Sequence, residues 1–396
     1  MPKKMPLPDG ARVIIEKLNK HGYSANIVGG SVRDFLLGRE IFDYDITTSA
    51  PPNAVKDIFA DFRTVDTGIK HGTVTVIAYG SPYEVTTYRL DGDYLDLRHP
   101  ECVTFTDALG EDLARRDFTV NAICYNDTDG YTDLFSGLDD IEAGVLRAVG
   151  EPERRFREDA LRIMRAIRFA AQLGFTIEEK TDAALRKLAP TISKISRERI
   201  FSEWKKLLGG KNAYWVIKEY RDVIDTAIPD LFGLPLPPEY TFDGSDAEAR
   251  ELLLFASAVD AGERFSHASI SLRRDNASRR LGEATLSALA EPVPCGRAAV
   301  AGFLRRWGED TLDLYLKVAE PLDIITEAEA DEIASIAGSD IVYKLSQLAI
   351  GGEELLSLGI RGREIGEMLE YALDCVILGE CANTKDELLR VVKNRL

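Results

Sequence analysis

Along the first 150 residues the apolar positions come in short runs closed by turn residues. SANIVGG (24–30), GTVTVIAYG (72–80), PYEVTTYRL (82–90), FTVNAICYN (118–126) and GVLRAVG (144–150) are β-branched or aromatic runs of strand length. Between them, DGARVIIEKLNKHG (9–22), VRDFLLG (32–38) and PPNAVKDIFADF (51–62) repeat apolar residues at helical spacing. Asp129-Gly130 falls between two strand-like runs and predicts a hairpin. The region reads as α+β with a mixed sheet.

From Glu151 onward the strand signals nearly vanish. REDALRIMRAIRFAAQLG (157–174), EEKTDAALRKLAP (178–190) and SRERIFSEWKKLLGG (196–210) carry an amphipathic helical period. GLPLPPEYTFDG (233–244) has three prolines and predicts a linker or loop, with more helices beyond it. No fixed-period repeat or low-complexity tract interrupts this plan.

Composition sets outer limits. The 396 residues suit two to three domains, and 45% hydrophobic with 29% charged residues excludes wholesale disorder. No run of about 18 apolar residues predicts a membrane helix. The N-terminus lacks an apolar core behind its lysines, so it does not read as a secretory signal. Cys102, Cys124, Cys295, Cys375 and Cys381 are scattered, with no CxxC pair. That favours a reducing cytoplasm over a disulfide scaffold or zinc ribbon.

The net charge of −17 argues against a nucleic-acid partner until its distribution is seen. Residues 1–150 carry 15 Lys+Arg against 24 Asp+Glu, and residues 212–396 carry 19 against 33. Residues 151–211 reverse this, with 15 against 9. Charge alone does not decide between a solvated helical face and a phosphate or nucleic-acid site.

Several constellations carry candidate chemistry. Gly29-Gly30-Ser31 lies where a strand gives way to a helix beginning near Val32, with Arg33 in its first turn. Glycines let backbone approach a phosphate, and a guanidinium suits a polyphosphate. The chain has no GxxxxGK[ST] loop, and a lone Gly-Gly turn is usually only a turn. Asp43-Tyr44-Asp45 is by itself most often an exposed acidic turn; in a strand, about ten residues after the Gly-Gly unit, it would put two carboxylates on one face, a pairing that calls for neutralising cations. Two metal ions about 3.5–4 Å apart, as in phosphoryl transfer, would satisfy it. Glu84 sits in a strand-like run, either facing solvent or as a third carboxylate. In EDLARRDFTVNAICYN (111–126), Arg115 and Arg116 suit triphosphate oxygens and Asp117 and Asn121 suit ribose hydroxyls, although the segment also reads as a helix end carrying surface ion pairs. Asp159, Arg162, Arg165 and Arg168 recur every third residue on one expected helix, a pattern that is usually a solvated stripe with an i,i+3 ion pair.

Taken in order, these motifs resemble the class II tRNA nucleotidyltransferases, the family of CCA-adding enzymes and bacterial poly(A) polymerases. The resemblance runs from Gly29-Gly30-Ser31-Val32-Arg33-Asp34 through Asp43-Tyr44-Asp45-Ile46-Thr47 and Arg115-Arg116-Asp117-Phe118-Thr119-Val120-Asn121-Ala122. It continues in Asp133–Asp140, Arg157–Arg162 and Glu198–Glu203, so it covers about residues 27–203, and less specifically in Leu358–Gly366. It implies a polymerase-beta-like head at 1–150, a helical neck at 151–232, a body at 233–310 and a tRNA-binding tail at 311–396. Gly30, Ser31 and Arg33 would lie at the triphosphate, and Asp43 and Asp45 would bind Mg2+ with Glu84 as a third catalytic carboxylate. Arg115 and Arg116 would bind nucleotide, and Asp117 and Asn121 would contact or position the ribose. Asp159 and Arg162 would face the incoming base, with Arg165 and Arg168 on the same stripe. A carboxylate and a guanidinium accept cytosine and adenine and oppose uracil and guanine, which present the reverse donor pattern.

Four activities share these motifs. CC-only enzymes of the family lack a complete flexible loop at 89–105, whereas this chain keeps Asp91-Gly92-Asp93-Tyr94 and Arg98-His99-Pro100. The acidic C-terminal half disfavours a poly(A) polymerase. The expected activity is complete CCA addition to tRNA from CTP and ATP, with Mg2+, in the cytoplasm and away from membranes. A-only addition stays open, as does oligomeric state. An inactive tRNA-binding relative is the alternative of another class, against which the intact Asp43, Asp45, Arg116, Asp159 and Arg162 weigh.

Overall fold

The computed structural model describes residues 3–91 and 103–396. The chain divides into two compact units, residues 1–227 and 228–396. The first begins with helix α1 (Asp9–Lys20), strand β1 (Ala25–Val28), helix α2 (Gly30–Leu36), strand β2 (Ile46–Thr48) and helix α3 (Pro52–Ile58). Strands β3 (Arg63–Gly68), β4 (Thr73–Ala78) and β5 (Ser81–Thr87) follow. Then come β6 (Arg89–Asp91) and β7 (Val103–Phe105), helix α4 (Leu109–Ala114), strands β8 (Ile123–Asn126) and β9 (Gly130–Asp133), and helix α5 (Gly137–Ala143). Gly92-Asp93-Tyr94 and Arg98-His99-Pro100, expected to govern the switch of base, lie outside the described residues.

Seven strands form one sheet in the order β3-β4-β5-β2-β1-β8-β9. Every pairing is antiparallel except β2 with β5, so the sheet is mixed, as the sequence pattern implies. Helix α1 repeats Ala11, Ile14, Ile15 and Leu18 on one face, and that face is buried. With Phe59 at the end of α3 it packs on Ile27, Ile46, Val74, Val76 and Val85 from the sheet. In β5 the alternation leaves Tyr83, Val85 and Thr87 buried and turns Glu84 away from that core. The β8–β9 hairpin forms where Asp129-Gly130 predicts it, with Gly130 at φ +75°.

Two strand expectations change. FTVNAICYN is a strand only from Ile123, because Thr119–Asn121 form a 3-10 turn. There the Phe118 N–H donates to the Asp117 side chain and the Thr119 N–H to the Arg147 carbonyl, so neither is free for the sheet. GVLRAVG contributes only β10 (Val145–Leu146), paired in parallel with β11 (Thr176–Ile177) outside the main sheet.

Helices complete the unit: α6 (Pro152–Glu158), α7 (Leu161–Leu173), α8 (Glu179–Leu188), α9 (Arg197–Leu208), α10 (Ala213–Glu219) and α11 (Arg221–Ala227). The single helix expected over 157–174 is broken between α6 and α7. Asp159 there is extended, at φ −141° and ψ 104°. Its carboxylate accepts the Leu161 N–H, capping the start of α7. Next to α9, a side chain at Gly210 would strike the backbone of Ala171, so only glycine allows this approach to α7.

Among the described residues the second unit contains nine α-helices, from Ala247–Ala256 to Lys385–Arg395, and no strand. Val300, Leu304, Tyr315 and Ile333 belong to one buried cluster, and Ile350, Leu355, Leu388 and Val392 to another. Among the described residues no helix is long and apolar enough to cross a membrane.

Candidate active site

Strand β1 delivers the chain to Gly29, whose φ of +80° suits glycine. A Cβ at this position would lie 3.2 Å from Arg116 Nη1. The turn is pinned by the Gly29 N–H donating to the Ile123 carbonyl and by the Arg33 N–H donating to the Gly29 carbonyl. Gly30 begins α2, and the buried Ser31 hydroxyl donates back to the Val28 carbonyl at 3.4 Å.

Asp43 and Asp45 occupy the extended lead-in to β2 rather than the strand itself. The lead-in is still held against the sheet, because the Val28 N–H donates to the Asp45 carbonyl at 3.0 Å. Ile46 pairs with Val85, so extending the register by one residue sets Asp45 opposite Glu84. Both Asp side chains and Glu84 are exposed. Surrounding protein, then Asp43 and Glu84, push the Asp45 carboxyl up to about 6 against the opposing influence of Arg116. Because the residue as a whole is exposed, the protein removes only part of its water.

The cationic side of the site hangs on one carboxylate that sequence reasoning missed. Asp112, fully buried in α4, accepts from Thr47 Oγ1 at 3.2 Å, just beyond Asp45 in β2. It also accepts from Arg115 Nε and Nη2 at 2.9 and 2.6 Å, and from Arg116 Nη2 at 3.3 Å. Burial favours the neutral acid, but Arg115 and Arg116 outweigh it and hold Asp112 below the ordinary carboxylate range. Arg116 Nε is buried without a hydrogen-bond partner, a donor left over beside the Gly29 turn. Asp112 stands three and four residues before the two arginines, a helical spacing that could have revealed it.

A second chain of contacts runs from α2 to α7. Arg33 pairs with Asp34 and donates from Nη1 to Asn121 Oδ1 at 2.6 Å. Asn121 Nδ2 donates to Asp117 Oδ1 at 3.0 Å. Arg165 grips Asp117 Oδ2 from Nε and Nη2 at 2.8 and 2.5 Å. Burial opposes ionisation of Asp117, yet Arg165 and the Asn121 amide hold its pKa well below the usual range.

The four stripe residues diverge. Asp159 pairs with Arg199 of α9, Nη2 to Oδ2 at 2.8 Å, and not with Arg162 as an i,i+3 pair. Arg162 turns to Glu158 at 2.8 Å and to the carbonyls of Arg155 and Arg115 at 3.1 and 2.8 Å. Arg168 is buried against Glu203 of α9 at 2.8 Å, with its guanidinium 3.5 Å from the Phe169 ring centroid. Steps of three on a 3.6-residue helix rotate about 60° each, so these arginines meet different neighbours. Arg199 and Glu203 come from another helix, which no sequence spacing indicated.

Asp43 and Asp45 fit a divalent cation. The acidic neighbours that raise Asp45 are relieved by positive charge, and both side chains are open to solvent. Among the described residues no group of three or more His, Cys, Asp or Glu encloses a metal position. A solvent-open acidic pair would leave the remaining coordination positions of such a cation to water or substrate oxygens.

The seven-stranded sheet, the acidic lead-in and the arginines around Gly29 together form a nucleotidyltransferase head. Residues 25–147 match the poly A polymerase head domain, and residues 174–223 match a family described as the probable RNA and SrmB-binding site of polymerase A. The chain is 35% identical to the CCA-adding enzyme of Lactobacillus helveticus, covering 98% of each. It is 37% identical to that of Leuconostoc mesenteroides, covering 97% of this chain and 95% of the relative. The crystal structure of the Bacillus stearothermophilus CCA-adding enzyme in complex with CTP superposes with a TM-score of 0.79 at 33% identity, covering 99% of this chain and 98% of that one. The chain belongs to the family of CCA-adding enzymes, and it is a nucleotidyltransferase.

Proposed function

We propose that this protein adds C, C and A to the 3′ end of tRNA from CTP and ATP, releasing pyrophosphate, without a nucleic-acid template. The observation that carries this reading is likeness over essentially the whole chain to CCA-adding enzymes, one of them solved with CTP. The local geometry is consistent with it: Asp45 lies opposite Glu84 at the start of the β2–β5 pairing, Asp43 and Arg116 both act on its carboxyl, and Arg116 also stands beside Gly29.

In this reading Asp43 and Asp45 hold Mg2+, which when bound neutralises phosphate charge and orients the reacting oxygens. Glu84 adds negative charge beside Asp45. Arg116, with its spare Nε donor, and Arg33 hold the triphosphate at the Gly29-Gly30 turn, while Arg115 braces Asp112. Asp159 accepts from the exocyclic amine of cytosine or adenine, and Arg162 donates to the adjoining ring nitrogen. Arg168 is assigned to packing α7 on α9. We retain the division into head, neck, body and tail at 1–150, 151–232, 233–310 and 311–396, and a cytoplasmic location, as parts of this proposal.

Product sequencing tests it. Three tRNA substrates, ending at the discriminator base, after the first C and after the second C, are incubated with CTP, ATP and Mg2+. Completion of CCA on all three is expected. Extension of only the third would make the protein an A-adding enzyme, and long A tails would make it a poly(A) polymerase.

A further inference from the structure

Helix α2 ends at a left-handed glycine that returns the chain over the helix. Gly38 sits at φ +66°, and its N–H donates to the Phe35 carbonyl at 3.0 Å. The Arg39 N–H donates to the Asp34 carbonyl at 2.8 Å. These two bonds close α2 as a Schellman turn and bring Arg39 back to the level of Asp34. The Asp34 carboxylate is therefore shared by two guanidinium groups. Arg33 donates to it from Nε and Nη2 at 3.0 and 2.9 Å, and Arg39 Nε stands 3.8 Å from its Oδ1.

Arg39 also makes a contact that the turn does not require. Its Nη1 donates to the Gln172 carbonyl at 2.9 Å, 133 residues further along the chain. Gln172 is the last residue but one of α7, so this carbonyl has no partner within the helix. A guanidinium there also meets the negative end of the helix dipole. The Gln172 side chain ties in α9: its Oε1 accepts from Arg168 Nη1 at 3.0 Å, and its Nε2 donates to the Lys206 carbonyl at 3.2 Å. One turn earlier on α7, the Phe169 ring centroid lies 4.9 Å from the Arg33 guanidinium carbon. Helix α7 is thus capped by Asp159 at its start and by Arg39, from the end of α2, at its finish.

We propose that Arg39 is a positioning residue: by capping the end of α7 while paired with Asp34, it sets the spacing between Arg33 and the α7–α9 pair that reads the base. This deepens the function proposed above and rests on it, with Arg33 at the triphosphate and Asp159, Arg162 and Arg199 at the base. A nucleoside triphosphate that engages both ends gains affinity only when their spacing is set in advance. A ligand that occupies the phosphate end alone does not sense it. If the link is cut, CTP loses the gain from its base. UTP, whose base these residues oppose, loses nothing.

The test measures Kd for CTP, UTP and inorganic tripolyphosphate by calorimetric titration at one Mg2+ concentration, in wild type, R39A and R39K. Melting temperatures and single-C addition to tRNA ending at the discriminator base accompany it. The expected result for R39A is CTP binding about tenfold weaker, the scale of one charge-assisted hydrogen bond, with UTP and tripolyphosphate bound as by wild type. R39K falls between, because an ammonium still donates to the Gln172 carbonyl but lacks the planar fork. Tripolyphosphate weakened as much as CTP overturns the proposal, since Arg39 would then act on the phosphates by its own charge. A lower melting temperature with CTP and UTP affinities unchanged also overturns it, leaving Arg39 a fastener of the fold. The Arg39 side chain is 45% exposed, so R39A leaves no buried cavity, and R39K carries the same test should R39A fail to fold. A wild-type protein that binds CTP but adds no C sinks the function proposed above, while the titrations still decide the role of Arg39.

Discussion

Asp159 and Arg199 are forty residues apart in the chain, and the Arg199 guanidinium holds the Asp159 carboxylate through both Nη atoms, at 3.4 and 2.8 Å. The same carboxylate caps α7 through the Leu161 N–H. Its orientation is therefore set from two sides before any nucleotide arrives. R199A should reduce discrimination against UTP and GTP about tenfold, the scale of one charge-assisted contact. R199K should be intermediate, since an ammonium lacks the planar fork. D159A should have the larger effect. Incorporation kinetics with all four nucleotides provide the measurement, and D159A slowing all four equally would make Asp159 only a partner of Arg199.

The acidic lead-in to β2 supplies a second prediction. D43A and D45A should each abolish C and A addition together, because both reactions would use the same ion. Asp45 also has a pH signature. Its folded pKa of about 6 lies above the ordinary Asp value, so its ionisation opposes folding. In metal-free protein this destabilisation is absent below about pH 4 and sets in as pH rises through 6. Melting temperatures of D45N and wild type should coincide below about pH 4, diverge as pH rises towards 6 and stay apart above it, with D45N the more stable. Added Mg2+ should stabilise wild type and leave D45N unaffected.

Arg168 and Glu203 form a pair with side chains only 8% and 7% exposed. R168M should cost about 3–5 kcal/mol by stranding Glu203, and R168M/E203M should recover much of it. Urea denaturation measures both. Nucleotide selectivity should be unchanged in the double variant; a selectivity change without a stability change would place Arg168 at the nucleotide instead.

Asp112 predicts a coupled loss. D112N weakens contacts to Arg115 and Arg116 at once, so KM for CTP and ATP should rise while the melting temperature falls. The lowered Asp112 pKa means its ionised form stabilises the fold above the ordinary Asp range and ceases to do so as pH falls through the folded value. The gap in stability between wild type and D112N should therefore narrow on acidification. A normal KM in a destabilised D112N would show that Asp112 supports the fold without orienting Arg116.

How much was legible beforehand follows the range of each interaction. Period and turn chemistry along the chain determined the α+β head, the helical remainder, the β8–β9 hairpin and the apolar face of α1. Each of these depends on residues within a few positions of one another. The motifs likewise indicated a head of this family and a clustering of Asp43, Asp45 and Arg116. Tertiary structure decided the rest. It set Asp45 opposite Glu84 across a parallel pairing that no local pattern encodes. It broke the long helix at Asp159 and gave that carboxylate to Arg199. It also turned an evenly spaced stripe into separate contacts to Glu158, Asp117 and Glu203. Spacing along a helix specifies the direction a side chain leaves the axis, but its partner belongs to whichever element packs there, and that packing is a property of the whole folded unit.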